Sequence, residues 1–213
     1  MWDFIVERRE ALLYNTFQHA NLVVQAVLVA TVVAVLLAVL ITRVPRLEGP
    51  ANALSAIGLT IPSFALVSLL LTFFSFGSLP AFIAVAFYAV LPVLRNAVVG
   101  LQGVDATLLE SARGMGMSEL TTLLRVRLPL AWPVILAGVR VSMQMSMGVA
   151  AIAAYVGGPG LGTYILKGLT QIGGANAINY ALVGTIGVVV VALLADLVLL
   201  LLGRATISKG VRA

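Results

Sequence analysis

Long apolar stretches alternate with short polar connections along this chain. They span residues 21–42, 51–74, 81–101, the segment from Pro133 to about 156, and 177–203. Each stretch is long enough to cross a hydrocarbon core, which takes about 20 helical residues. The pattern therefore predicts an all-α integral membrane protein with five transmembrane helices. We assign residues 20–203 to a membrane domain and residues 204–213 to a basic tail.

The one long polar interruption lies between the third and fourth stretches, and we define residues 105–129 as the polar loop. Cap and breaker residues divide it into two short helices. The loop contains two N-caps, a glycine stop and a proline expected to end the second helix: Asp105, Ser118, Gly114, Gly116 and Pro129. Leucines at helical spacing give each helix one apolar side. The sequence predicts a helix-turn-helix at a membrane face.

Residues 1–19 precede the first apolar stretch and are polar and mixed in charge. Trp2, Ile5, Leu13 and Phe17 fall near one helical face, which indicates an interfacial helix. A frayed tail is the alternative. His19 is interpreted as a polar residue at the outer interface, and not as a ligand or a proton switch.

Composition excludes whole classes of protein. The chain is 61% hydrophobic and 10% charged, with a mean hydropathy of +1.11, values that no ordinary soluble domain has. Without cysteine, and with one histidine and 8 carboxylates, it has few residues for a metal centre. The net charge of +5 indicates contact with membrane lipids and a fixed orientation, with no nucleic-acid partner.

Two features inside the apolar stretches stand out. Pro62 and Ser63 should break the second helix, which places them beside a translocation path or at a packing kink. Arg95, Arg140 and Asp196 are charges within predicted spans, and each should face protein or water. They belong either to a path or gate, or to a structural ion pair of Asp196 with one of the arginines.

The polar loop resembles the cytoplasmic loop of permease subunits in bacterial ATP-binding cassette importers. The resemblance is carried by Glu110-Ser111-Ala112, Gly116 and Val126-x-Leu128-Pro129, with Ser111 in place of the usual alanine. It implies a type I importer permease (MetI-like) fold in the bacterial cytoplasmic (inner) membrane. It also implies a coupling helix that docks on the ATPase subunit, with seven coupling residues: Glu110, Ser111, Ala112, Gly114, Gly116, Leu128 and Pro129.

Placing this loop in the cytoplasm tests the orientation. Eight basic residues then lie inside, namely Arg43, Arg46, Arg113, Arg125, Arg127, Arg204, Lys209 and Arg212. Three lie outside, namely Arg8, Arg9 and Lys167. This excess fits the positive-inside rule. It predicts an N-terminus outside and a C-terminus in the cytoplasm.

A narrower resemblance covers residues 20–203. The chain is similar to permeases for compatible solutes in segments 60–74, 79–80, 88–96, 110–117, 128–140 and 157–168. It departs from them at Gly158-Pro159-Gly160, where relatives more often carry Ala-Gly-Gly. The resemblance implies ATP-driven uptake of glycine betaine, choline or carnitine, with a permease for methionine or another amino acid as the alternative.

The same resemblance implies three kinds of partner. They are ATPase subunits, a second permease that is identical or related, and an extracytoplasmic substrate-binding protein. The sequence has no nucleotide-binding loop of the form Gly-x-x-x-x-Gly-Lys-Ser/Thr, so ATP and magnesium would bind to the ATPase, and this chain would be neither an enzyme nor a carrier of cofactors. High-affinity recognition would fall to the binding protein. The permease would then need only a weak polar path, with candidates Pro62, Ser63, Ser142, Gln144 and Ser146.

Two other classes of function stay open from the sequence alone. One is an ATP-independent secondary carrier or channel, although an odd number of spans without an internal repeat disfavours an inverted-repeat carrier. The other is a structural membrane subunit with no path of its own.

Overall fold

All regular elements that the structure describes are helices. The computed structural model describes residues 1–207. Its α-helices are α1 (Trp2–Glu7), α2 (Arg9–Arg43), α3 (Glu48–Thr60), α4 (Ser63–Phe73), α5 (Ser78–Gln102), α6 (Ala106–Gly114), α7 (Glu119–Thr122), α8 (Leu128–Ile152), α9 (Gly162–Thr170) and α10 (Ala177–Thr206). Helix α10 thus runs into the predicted basic tail, of which Lys209 and Arg212 lie outside the described residues.

Four helical segments are long and apolar enough to cross a membrane. They are α2, α5, the continuous helix Glu119–Val156 and α10. The stretch predicted as a single second span is instead two helices, α3 and α4, bent by 95°. Ile61 is extended before Pro62, because a proline disfavours helical backbone at the residue before it. The described chain therefore has four candidate spans, or five if the bent pair counts as one.

The first span begins earlier than the apolar pattern indicates. Helix α2 runs 35 residues from Arg9 without a break at residue 20, since no glycine or proline interrupts this part of the sequence. Before it, the short helix α1 buries Phe4. The N-terminal segment is thus helical and packed against the rest of the chain.

The core forms where α2 packs on α5 and α5 packs on α8. Alanines at four-residue spacing line the inner face of α2 and are fully buried, at positions 26, 30, 34 and 38. Small side chains let helix backbones approach closely, which is how helices pack inside membranes. Helix α10 is different, because most of its apolar side chains are exposed and left to face lipid or another subunit.

The glycine-rich connection after α8 packs over His19. The structure buries this side chain completely, where the sequence predicted a polar residue at the outer interface. Gly160 has a φ of +116°, and a Cβ there would lie 2.7 Å from the His19 Cβ. Glycine at this position therefore lets the connection cover His19.

Candidate functional site

The polar loop folds as its local sequence predicts at both N-caps. The Asp105 carboxylate accepts a hydrogen bond from the Thr107 backbone N–H at 2.8 Å, and the Ser118 hydroxyl accepts from Thr121 N–H at 3.3 Å. The Thr107 hydroxyl and then this backbone bond lower the pKa of Asp105. Between the caps, Gly116 has a φ of +77°, the left-handed conformation that glycine tolerates. Gly114, in contrast, ends α6 without a positive φ.

The second helix of the loop does not stop at Pro129, which corrects the sequence prediction. A π-helical turn, Leu123–Arg127, joins α7 directly to α8. Pro129 lies in the first two positions of α8, where a helix does not require its N–H. The second loop helix and the fourth span are consequently one continuous rod, Glu119–Val156.

The loop exposes several apolar side chains. Leu108, Met115, Leu120 and Leu124 are all exposed, with Met115 exposed to 70% and Leu120 to 60%, and we refer to these four residues as the exposed apolar face of the loop. Ala112, one turn after Leu108 on α6, is buried to 1% exposure. Exposed apolar patches of this kind mark protein interaction sites.

The remaining residues predicted for coupling lie around this face. Glu110 is exposed and forms no ion pair with a described residue. The Ser111 hydroxyl donates to the Thr107 carbonyl at 2.8 Å, which keeps it on its own helix. Leu128 is half-buried and Pro129 is exposed. All seven residues thus lie on α6, in the turn after it or at the start of α8.

The break between α3 and α4 has a specific hydrogen-bond partner. The hydroxyl of Tyr88 on α5 donates to the backbone carbonyl of Ile61, which the extended backbone before Pro62 leaves outside the helical pattern. Pro62 is exposed and Ser63 is half-buried. A broken helix with its backbone satisfied by a neighbour is the form in which irregular backbone is tolerated within membranes.

The polar run on α8 divides between two faces. Ser142 and Ser146 are fully buried, and Ser142 donates to the Ala89 carbonyl of α5 at 2.8 Å. The Ser146 hydroxyl is buried without a hydrogen-bond partner among the described residues. Gln144 is exposed and lies beside Asp196. The structure therefore does not bring the three candidate path residues of α8 together.

Asp196 pairs with Arg140 across α8 and α10. The Arg140 Nε to Asp196 Oδ1 distance is 2.8 Å and the second guanidinium nitrogen lies 2.8 Å from Oδ2. This bidentate geometry is the strong form of an arginine–carboxylate ion pair. Arg95 is exposed and takes no part in the pair. The interpretation of Asp196 as a structural partner of one arginine fits this geometry.

An aromatic cluster formed by residues far apart in the chain was missed by the sequence analysis. Phe4 and Tyr180 pack edge to face with ring centroids 4.8 Å apart, and Tyr164 lies 5.6 Å from Tyr180. The Arg8 guanidinium lies 4.4 Å from the Phe4 ring centroid, and Lys167 lies 5.9 Å from both tyrosine rings. The chain's own cations thus cover these rings, and the cluster fastens α1 to α9 and α10.

Comparison with known proteins identifies the family of this chain. The sequence model of the family "Binding-protein-dependent transport system inner membrane component" matches residues 30–208. This chain belongs to that family.

Members with curated names align along nearly their whole length. A choline transport system permease protein of Bacillus subtilis is 37% identical over 99% of this chain and 95% of its own length. A glycine betaine/carnitine/choline transport system permease protein of the same organism is 36% identical over 100% and 96%. An osmoprotectant import permease protein of Salmonella typhimurium is 38% identical over 92% of each chain.

Solved structures support the fold of this inner membrane component. A chain of the inward-facing MetNI methionine ABC transporter superposes with a TM-score of 0.78 at 20% identity, covering 92% of this chain and 95% of the other. This likeness establishes a MetI-like type I permease fold for this multi-pass membrane protein.

Proposed function

We propose that this chain is the membrane-spanning permease subunit of an ATP-binding cassette importer for quaternary ammonium compatible solutes. The observation that carries the coupling part of the proposal is the exposed apolar face of the polar loop, including Met115 and Leu120. A surface of this kind suits a groove on an ATPase. The substrate part rests on the relatives, which are named for choline, carnitine and glycine betaine.

The loop is suited to transmit force because it is rigidly joined to a span. Helix α7 continues into α8 through the π turn, so displacement of the loop by an ATPase moves the rod Glu119–Val156. Glu110 is exposed on α6 and would contact the ATPase. ATP and magnesium belong to that partner, closure of the ATPases would draw two loops together, and this chain would switch access without catalysis.

The complete assembly in this proposal has two permeases, two ATPases and an extracytoplasmic binding protein in the bacterial cytoplasmic membrane. The proposed topology has five spans, with the bent pair α3–α4 as the second, an N-terminus outside and the loop and C-terminus in the cytoplasm. The largely exposed helix α10 offers a surface for the second permease or for lipid. The absence of cysteine makes single-cysteine labelling at Leu13 and Met115 a direct test of this topology.

For the path we favour the break at Pro62 and Ser63 together with Gln144. Pro62 and Gln144 are exposed and Ser63 is half-buried, so a substrate crossing between two permeases can reach them. Ser142 and Ser146 are fully buried, and their participation would require α5 and α8 to separate during transport.

The decisive experiment measures ATP hydrolysis by the complete complex in lipid with its binding protein. Glycine betaine, choline, carnitine and methionine are titrated in turn. Stimulation by a quaternary ammonium compound is the expected result. Stimulation by methionine alone would keep the coupling argument and overturn the substrate, and uptake that persists without the ATPase would indicate a carrier or channel.

Coupling through Glu110 is tested separately. Glu110→Ala should leave membrane insertion and subunit assembly intact while lowering substrate-stimulated ATP hydrolysis, since the side chain is exposed and unpaired among residues 1–207. Glu10→Ala is the matched control, because Glu10 is another exposed glutamate without an ion pair among residues 1–207, and it lies in the first turn of α2. Equal hydrolysis by Glu110→Ala and wild type would contradict the assigned role.

A further inference from the structure

A cavity with excess positive charge lies where the end of α2 meets α6 and the turn leading into α8. Its volume is about 380 Å³, within the range of roughly 300–1,000 Å³ typical of small-molecule sites. The walls carry three arginines, Arg43, Arg113 and Arg127, and a single acid, Glu119. The cavity therefore has a net charge of +2 from its lining side chains.

This charge is not neutralised within the described part of the chain. The ion pairs among residues 1–207 are Arg8 with Glu7 and Arg140 with Asp196, and neither involves the cavity. Arg113 and Arg127 repel each other across it. Such a cluster is most stable with an anion among the guanidinium groups.

Two details fit the cavity to an oxyanion. The Arg127 Nε donates to the Leu101 carbonyl at 2.8 Å, which holds the guanidinium in place and leaves its terminal nitrogens free to bind phosphate oxygens. The Thr122 hydroxyl in the same wall is buried, with the residue 8% exposed, and has no hydrogen-bond partner among residues 1–207. A phosphate oxygen would provide the missing acceptor.

The position of the cavity selects the source of the phosphate. Arg43 ends the membrane-length helix α2, directly after the apolar stretch 21–42, so this wall of the cavity lies at the membrane boundary. Val39 and Leu123 line it beside the charged residues, which gives it an apolar side next to the hydrocarbon. Basic pockets between helices at this depth bind lipid headgroups.

We propose that this cavity binds the phosphodiester headgroup of an anionic phospholipid, with Arg43, Arg113 and Arg127 as its donors. The lipid bridges α6, which carries Arg113, to the end of α2, which carries Arg43. It thereby steadies the polar loop against the first span. This inference concerns lipid binding and does not depend on which solute is transported.

The test is lipid binding to the complete complex, measured by native mass spectrometry. Delipidated complex is titrated with phosphatidylglycerol and, separately, with phosphatidylcholine. Each arginine near a membrane surface is worth about 1 kcal/mol toward anionic lipid, which is about five-fold in affinity. Arg113→Gln should weaken phosphatidylglycerol binding about five-fold and Arg43→Gln/Arg113→Gln roughly 25-fold, with phosphatidylcholine binding unchanged.

Arg125→Gln is the matched control, because Arg125 lies on the same π turn, is exposed and does not line the cavity. It should keep the wild-type lipid preference. Arg113→Lys should retain most of it, because the charge is kept. Both replaced cavity arginines, Arg43 and Arg113, are exposed, so thermal unfolding in phosphatidylcholine should match wild type.

Three outcomes would overturn the proposal. Unchanged phosphatidylglycerol binding by the double variant would show that the cavity is not the site. Full displacement of the lipid by millimolar inorganic phosphate would make it a soluble-anion site. Loss of the ATPase subunit from the folded double variant would assign the arginines to a carboxylate of that partner.

Discussion

The polar loop and the polar run of α8 carry similar residues but are built in different ways. In the helix-turn-helix part of the loop, residues 105–121, the side-chain hydrogen bonds span a few residues, such as the bond between Asp105 and Thr107. On α8, Ser142 bonds to a residue 53 positions away and Arg140 to one 56 positions away. Because its caps are satisfied locally, this part of the loop is free to present a surface to a partner, whereas Ser142 and Arg140 hold helices together.

Breaking the ion pair between α8 and α10 should have the largest effect on stability. Asp196→Leu leaves the Arg140 charge unpaired in an apolar setting, at a cost of roughly 2.5–3.5 kcal/mol. The double variant Arg140→Met/Asp196→Leu should recover most of that loss, since no charge stays unpaired. A double-mutant cycle on unfolding free energies checks this. Additive losses in the cycle would show that the two side chains do not act as a pair.

A polar substitution on the exposed face of the loop should affect coupling and not stability. Leu120→Asp is expected to lower substrate-stimulated ATP hydrolysis at least about tenfold, equivalent to about 1.4 kcal/mol of docking energy. Ile172→Asp, at an exposed apolar residue in the connection between α9 and α10 and outside the spans, is the control. If Leu120→Asp lowered thermal stability as strongly as it lowered ATP hydrolysis, the lost activity would reflect unfolding, and the loop would not differ from α8 in its role.

The turn of the loop should tolerate only glycine. Gly116 has a φ of +77° and open space around a Cβ, so Gly116→Ala should cost about 1–2 kcal/mol from backbone strain alone. Gly114→Ala, with no positive φ and the same open space, should be neutral or slightly stabilising. Hydrogen exchange across α6 and α7 measures both. Equal protection in the two variants would contradict the assignment of strain to Gly116.

Two buried serines on α8 provide a matched pair. Ser142→Ala removes the buried hydrogen bond to the Ala89 carbonyl, which should cost about 1 kcal/mol. Ser146→Ala removes a hydroxyl that has no partner within residues 1–207, so it should be neutral or stabilising. Thermal unfolding of both variants decides the point. A larger loss for Ser146→Ala would mean that its hydroxyl is used in the assembled transporter.

The smallest expected effect is a pH dependence at the start of α6. The pKa of Asp105 is lowered by the Thr107 hydroxyl and backbone N–H, so the folded form holds the carboxylate. Its contribution is complete above the ordinary aspartate pKa, near 4, and is lost as the pH falls through the folded value. Hydrogen exchange of α6, corrected for intrinsic rates, should show weaker protection at pH ~3 than at pH ~6. Asp105→Asn retains the cap and should lose the pH dependence.

Much of the loop was predictable because its signals are local. The caps at Asp105 and Ser118 and the turn at Gly116 each depend on neighbours within a few residues. Pro129 was assigned wrongly, since it follows a π turn at the first positions of α8, where a helix does not require its N–H, and the helix continues. Nothing in the local sequence distinguishes these two cases.

For the candidate sites within the membrane, the sequence showed which polar residues are present but not which residues they contact. Asp196 had two possible arginines, and only the packing of α8 on α10 selects Arg140. His19 was placed at an interface because the apolar stretch begins after it, yet the connection containing Gly160 covers it. The aromatic cluster of Phe4, Tyr164 and Tyr180 had no signal at all.

The sequence by itself determined the class of the protein, the polar loop and the break at Pro62, because hydropathy, caps and proline act through the backbone nearby. Tertiary structure alone decided the 95° angle of that break, the division of the α8 polar residues between two faces, and the basic cavity. Those features depend on which helices pack together. A contact between residues more than 50 positions apart leaves no periodic trace in the chain, so only the folded molecule reveals it.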